Sequence, residues 1–104
     1  MNTSPANGIV RSRPDAPAPL WVPLRRQWFI AFRDGEKQHE WRRYGPRWNE
    51  QTCYIGRPVV LGMGYSGARL NGVVVSFRKR KATKAVAVIF GEGTICAVIG
   101  IDLV

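Results

Sequence analysis

From Arg57 to the end of the chain, short apolar runs alternate with glycine-rich breaks, and no other feature limits the fold as tightly. Arg57 to Met63 reads as a strand, Gly64-Tyr65-Ser66-Gly67 as a turn, and Arg69 to Phe77 as a second strand. Val73, Val74 and Val75 form an unbroken apolar run, which predicts burial on both faces of that strand. Arg78 to Lys84 is a basic connection, with five Lys or Arg among its seven residues. Ala85 to Phe90 predicts a further strand, Gly91-Glu92-Gly93 a turn, and Ile95 to Val104 a last strand.

Upstream the pattern changes. The folded part begins near Leu20-Trp21-Val22, and Pro23 suits the first turn of a helix, where a missing N–H costs nothing. Leu24, Trp28 and Phe32 recur every four residues, flanked by Phe29 and Ala31, which predicts an apolar helical face ending at a left-handed Gly35. Lys37 to Tyr44 then alternates as a strand. Lys37, His39, Trp41 and Arg43 share one face, and Gln38, Glu40, Arg42 and Tyr44 the other. Gly45-Pro46 breaks the strand, and residues 47–56 form a loop. The expected architecture is α+β, mostly β: a small, partly closed barrel of five to six strands with one N-terminal helix packed on it. Residues 1–19, with four prolines after Thr3, read as a flexible arm, and residues 20–104 as one domain.

Charge narrows the partner. Sixteen Lys and Arg face seven Asp and Glu, a formal net charge of +9 spread over both halves of the chain. A folded domain of this kind favours polyanions, with nucleic acid ahead of membrane surfaces. Twelve of the sixteen cations are arginine, whose planar fork pairs with phosphate and stacks on bases. Two cysteines, Cys53 and Cys96, and one histidine, His39, fall short of a structural zinc set, so no metal is expected. The cysteines read as free thiols in a reducing cytoplasm. No apolar run approaches the roughly 18 residues of a membrane span, and no secretory h-region is visible.

Two literal motifs carry less than their letters suggest. Gly62-Met63-Gly64-Tyr65-Ser66-Gly67 spells G-x-G-x-x-G, but a strand follows it where a dinucleotide site needs a helix. Its bare N–H groups beside Arg69 still suit a phosphate contact. Ser66 lacks the final glycine of a nucleophile elbow. Lys37 is more informative. It follows a helix end among Arg25, Arg26, Arg33, Arg42 and Arg43, a setting that favours a lysine base or nucleophile. Glu40 is a proton partner for it. On a regular strand, residues three apart face opposite ways, so the two meet only if the strand is bulged or Lys37 lies in the preceding turn.

The pattern Trp28-Phe29-x-x-Phe32-x-x-Gly35-Glu36-Lys37-x-x-Glu40-x-Arg42, followed by Trp48, Gly56-x-Pro58-Val59-Val60-Leu61 and Gly64-Tyr65, resembles the ASCH domain over about residues 20–104. The resemblance implies a small β-barrel related to the PUA fold, RNA binding, and a cleft lined by Lys37. Some members are enzymes: one branch removes the acetyl group from N4-acetylcytidine, and another is reported to cut RNA. In the amidohydrolase branch a threonine follows the lysine by three positions, where this chain has Glu40.

The expected function is thus a nucleic-acid-binding domain for RNA or a modified nucleotide, with DNA also possible as partner and no cofactor. Arg42, Arg43, Arg69 and the basic run Arg78, Lys79, Arg80 and Lys81 would hold phosphate, with Ser66 beside them. Trp41, Tyr44, Trp48 or Tyr65 would stack a base. One alternative is a small hydrolase with Lys37 as base or nucleophile and Glu40 as its proton partner. Another is a non-catalytic accessory domain that contacts a protein.

Overall fold

The computed structural model describes residues 18–104, so the arm expected over residues 1–19 lies almost wholly outside the described residues. In chain order the elements are β1 (Leu20–Leu24), α1 (Arg26–Arg33), β2 (His39–Arg43), β3 (Pro58–Met63), β4 (Arg69–Lys81), α2 (Lys84–Phe90) and β5 (Ile95–Leu103). The five strands make one curled, half-barrel sheet in the order β1-β3-β4-β5-β2, so β1 and β2 are its two edges. β1 runs parallel to β3, and every other pairing is antiparallel.

The inner, concave face holds the core. Alternation puts Leu20, Val22 and Leu24 of β1 inward, against Val59 and Leu61 of β3, Val74 of β4, and Ala97, Ile99 and Ile101 of β5. Phe29 and Phe32 of α1, three residues apart on one helix face, close this core from the side of β1 and β3. The long loop after β2 adds Trp48 and Cys53. Asn49 shapes that loop: its amide donates to the Gly45 and Pro46 carbonyls, and its oxygen accepts from the Gln51 and Thr52 N–H groups.

Three expectations need correction. Pro23 is not at a helix start; it lies within β1. An edge strand tolerates a proline because one side of its backbone has no ladder partner. The sequence cue of a proline before a helical stripe was therefore right about a boundary and wrong about its side. The helix itself ends as expected, with the Gly35 N–H on the Phe32 carbonyl and the Glu36 N–H on the Ala31 carbonyl. Its buried stripe, however, is Phe29 and Phe32, while Trp28 is 41% exposed.

The second correction concerns residues 78–90. The basic run does not form a connection: residues 78–81 continue β4, which is 13 residues long. Residues 84–90 are helix α2 instead of a strand, so there are five strands and two helices among the described residues. Thr83 caps α2, its hydroxyl accepting from the Val86 N–H at 3.4 Å, and the segment is helical despite the strand preference of Val86, Val88 and Ile89. No side chain of α2 is buried; Val88 is 86% and Ile89 67% exposed.

The third concerns Val73–Val75. Only Val74 is fully buried, and Val75 is exposed at a register shift between Val74 and Ser76. That bulge reverses which parity of β4 faces inward: Leu70 and Val74 before it, Phe77 after it. Ser76, Arg78 and Arg80 consequently point to the outer face. Ile99→Ala is expected to destabilise the domain by about 2–5 kcal/mol, whereas Val88→Ser stays within about 0.5 kcal/mol. Urea unfolding of the two variants checks both values.

Candidate functional site

The elements bring charged and aromatic side chains together on both faces of the sheet. On the inner side, Lys37 does lie in the turn before β2, its N–H held by the Ala31 carbonyl. From there its ammonium reaches Glu40, with Nζ 3.4 Å from Oε1. The same ammonium sits 5.5 Å from the ring centres of both Trp28 and Phe32. Glu40 is 8% exposed, and its other oxygen, Oε2, accepts from Arg42 Nε at 2.7 Å. Arg42 also donates through Nη2 to the Pro23 carbonyl at 2.6 Å, and its guanidinium lies 4.8 Å from the Trp48 ring centre. Since Pro23 is on β1 and Arg42 on β2, this one side chain joins the two edges of the sheet.

Farther along the same side, Lys79 lies over the Tyr44 ring at 4.3 Å, and the Tyr44 hydroxyl donates to Glu50. That hydrogen bond, with the Lys79 charge adding to it, lowers the Glu50 carboxyl below the usual glutamate range and raises the Tyr44 phenol.

The outer side is open. Across β2, β5 and β4 the register aligns three rows: His39, Gly100 and Ser76; Trp41, Val98 and Arg78; Arg43, Cys96 and Arg80. His39, Trp41, Ser76, Arg78, Arg80 and Val98 line an open hollow of about 390 Å³. Gly100 lets the flanking strands share this floor, because a Cβ there would collide with the Ser76 hydroxyl and touch the His39 ring. Arg43, in the last row, turns to α2, donating to the Phe90 carbonyl at 3.2 Å and lying over the Phe90 ring. Burial pushes the Cys96 thiol up beneath this row, with Arg43's charge partly opposing, so the thiol is not poised as a nucleophile.

The expected site residues therefore divide. Arg43, Arg78 and Arg80 come together on the outer platform. Lys37, Glu40, Arg42 and Trp48 form the inner cluster, where Trp48 is buried beneath Arg42. Lys79 belongs to the Tyr44 contact, and Lys81 lines a separate hollow of about 470 Å³ at the base of α2. Tyr65, Ser66 and Arg69 gather at the β3–β4 turn, with the Ser66 hydroxyl turned back onto the Met63 carbonyl. Of the platform's residues, Ser76 carried no signal in the sequence. His39 and Trp41 did, through their shared parity with Arg43.

Among the described residues no group of three or more His, Cys, Asp or Glu is placed to hold a metal ion, and no helix is long and apolar enough to cross a membrane. Compared with known proteins, the chain matches no family model and no curated sequence.

Glu40→Gln is expected to cost about 3 kcal/mol, because it strands two largely buried cations; thermal unfolding measures it. The Tyr44–Glu50 contact gives a pH signature with a definite sign. Glu50's lowered pKa adds stability above the ordinary glutamate range, lost as pH falls through the lowered value. Tyr44's raised pKa adds stability below pH 10, lost as pH rises through the raised value. Tyr44→Phe should abolish the alkaline contribution and reduce the acidic one in pH-dependent melting curves, since Glu50's own backbone hydrogen bond and the Lys79 charge remain.

Proposed function

We propose that this chain is a binding domain for single-stranded nucleic acid, RNA foremost, of the ASCH and PUA-like kind, and that it binds through the outer platform. The observation that carries the reading is the single hollow where Trp41, His39, Arg78 and Arg80 converge. A strand of bases offers flat π-faces and evenly spaced phosphates, and this surface offers a ring and guanidinium groups in matching rows. Trp41 stacks a base. Arg78 and Arg80, two residues apart on one strand face, take successive phosphates. His39 and Ser76 meet the ribose 2′-hydroxyl. A net charge of +9 steers the polyanion toward the surface.

A second reading, a small hydrolase acting through Lys37 and Glu40, draws on their 3.4 Å separation. Binding is preferred because both Glu40 oxygens already face cations, leaving neither free to move a proton for a substrate.

Affinity for oligouridylate is measured at about 150 mM salt, where loose binding to any basic protein fades. Trp41→Ala is expected to lose about 1–3 kcal/mol of binding. Arg78→Ala should make the slope of log affinity against log salt shallower by about 0.7, one single-strand phosphate. Unchanged affinity in the first and an unchanged slope in the second would contradict the reading.

A further inference from the structure

Beside the turn between β3 and β4 lies a second ring and guanidinium pair that the platform does not use. Trp21, on the outer face of β1, packs against Gly62 of β3; a Cβ at Gly62 would collide with the outer end of the indole ring. Arg69, paired with Gly62 across the ladder, places its guanidinium 4.8 Å from the Trp21 ring centre. The guanidinium is also fixed at its edge, Nη1 donating to the Ser66 carbonyl at 2.9 Å and the Ala68 carbonyl at 2.8 Å. Neither carbonyl neutralises its charge, and no acidic partner for Arg69 lies within ion-pair distance among the described residues. Arg69 is exposed to solvent. Tyr65, fully exposed, stands one residue from the Ser66 carbonyl that Arg69 grips.

An exposed arginine normally loses side-chain freedom when it binds, and that loss weakens the contact. Here the backing ring and two carbonyls have already removed that freedom. A planar cation held over a ring, charged and exposed to solvent, is a stacking surface for a nucleobase, and a tyrosine at its rim adds a second.

The pair also stands at a defined distance from the platform. Arg69 and Arg78 lie nine positions apart on β4, which at about 3.3 Å per residue is roughly 30 Å, slightly less for the bulge. A single strand of about 4–8 nucleotides covers such a span.

We infer that Arg69, backed by Trp21 and flanked by Tyr65, is a second base-stacking station, so that the outer face binds one nucleic-acid strand at two points. The inference rests on the platform reading above and adds a length requirement to it. A strand too short to reach both stations uses the platform alone.

The test compares fluorescein-labelled uridine trimers and decamers by anisotropy at about 150 mM salt. Arg69→Lys keeps the charge but removes the plane, and Tyr65→Ala removes the rim. Each is expected to weaken the decamer about tenfold, as for loss of one stacked base. Trimer affinity should not change. Trp41→Ala should weaken both lengths. If Arg69→Lys and Tyr65→Ala leave the decamer unaffected while Trp41→Ala weakens it, the second station is refuted and the platform stands. If they weaken trimer and decamer equally, Arg69 belongs to one site and the two-point arrangement is refuted. If wild-type protein binds neither length, the platform reading falls and the second station with it.

Discussion

Glu40 is the residue on which the sheet's closure depends. A buried carboxylate beside a core of aliphatic side chains is unfavourable unless cations satisfy it. Lys37 meets one oxygen and Arg42 the other. Arg42 then has a donor left over, and it reaches across to the Pro23 carbonyl on the opposite edge of the sheet. Pro23 cannot donate a backbone hydrogen bond, but its carbonyl is free to accept one. The two edge strands are thereby tied without a ladder between them, through one guanidinium stacked on Trp48. Remove the carboxylate, and Lys37 and Arg42 repel each other at the point where the half-barrel must close.

This closure decides which face is free to act. The inner side is filled by the core, by α1 and by the loop that carries Trp48. What remains for a ligand is the outer side, above all that of β2, β5 and β4, where the bulge at Val75 has turned Arg78 and Arg80 outward. Without that bulge, the parity of Leu70 and Val74 would carry on to Ser76, Arg78 and Arg80, and the arginines would face the core. The irregularity in β4 is therefore the local feature that joins a core strand to a basic surface.

Much of this was legible where the pattern had a single period. β3 and β5 read correctly as strands, the end of α1 read from Gly35, and the alternation from His39 to Arg43 placed Trp41 beside His39 and opposite Glu40 and Arg42. Legibility failed where two local rules compete. Pro23 suits a helix start and an edge strand equally, and only the sheet order distinguishes them. Val86, Val88 and Ile89 favour a strand by type, yet the segment is a Thr83-capped helix with no buried side chain, so neither period nor residue type announces it. The Arg78–Lys84 run looked like one basic segment because charge carries no parity; the strand divides it between two faces. Nor could ring count separate Trp48 from Trp41. One sits in an irregular loop with no alternation to read, and long-range packing alone places it in the core.

The four tryptophans provide the most direct measurement, since each indole N–H gives its own signal in a nitrogen-15 correlation spectrum. Titration with oligouridylate should shift the Trp41 indole strongly and leave those of Trp28 and Trp48, around Lys37 and Arg42, in place. A shift at Trp28 and Trp48 with Trp41 unmoved would put the ligand on the inner side of the sheet and contradict the account.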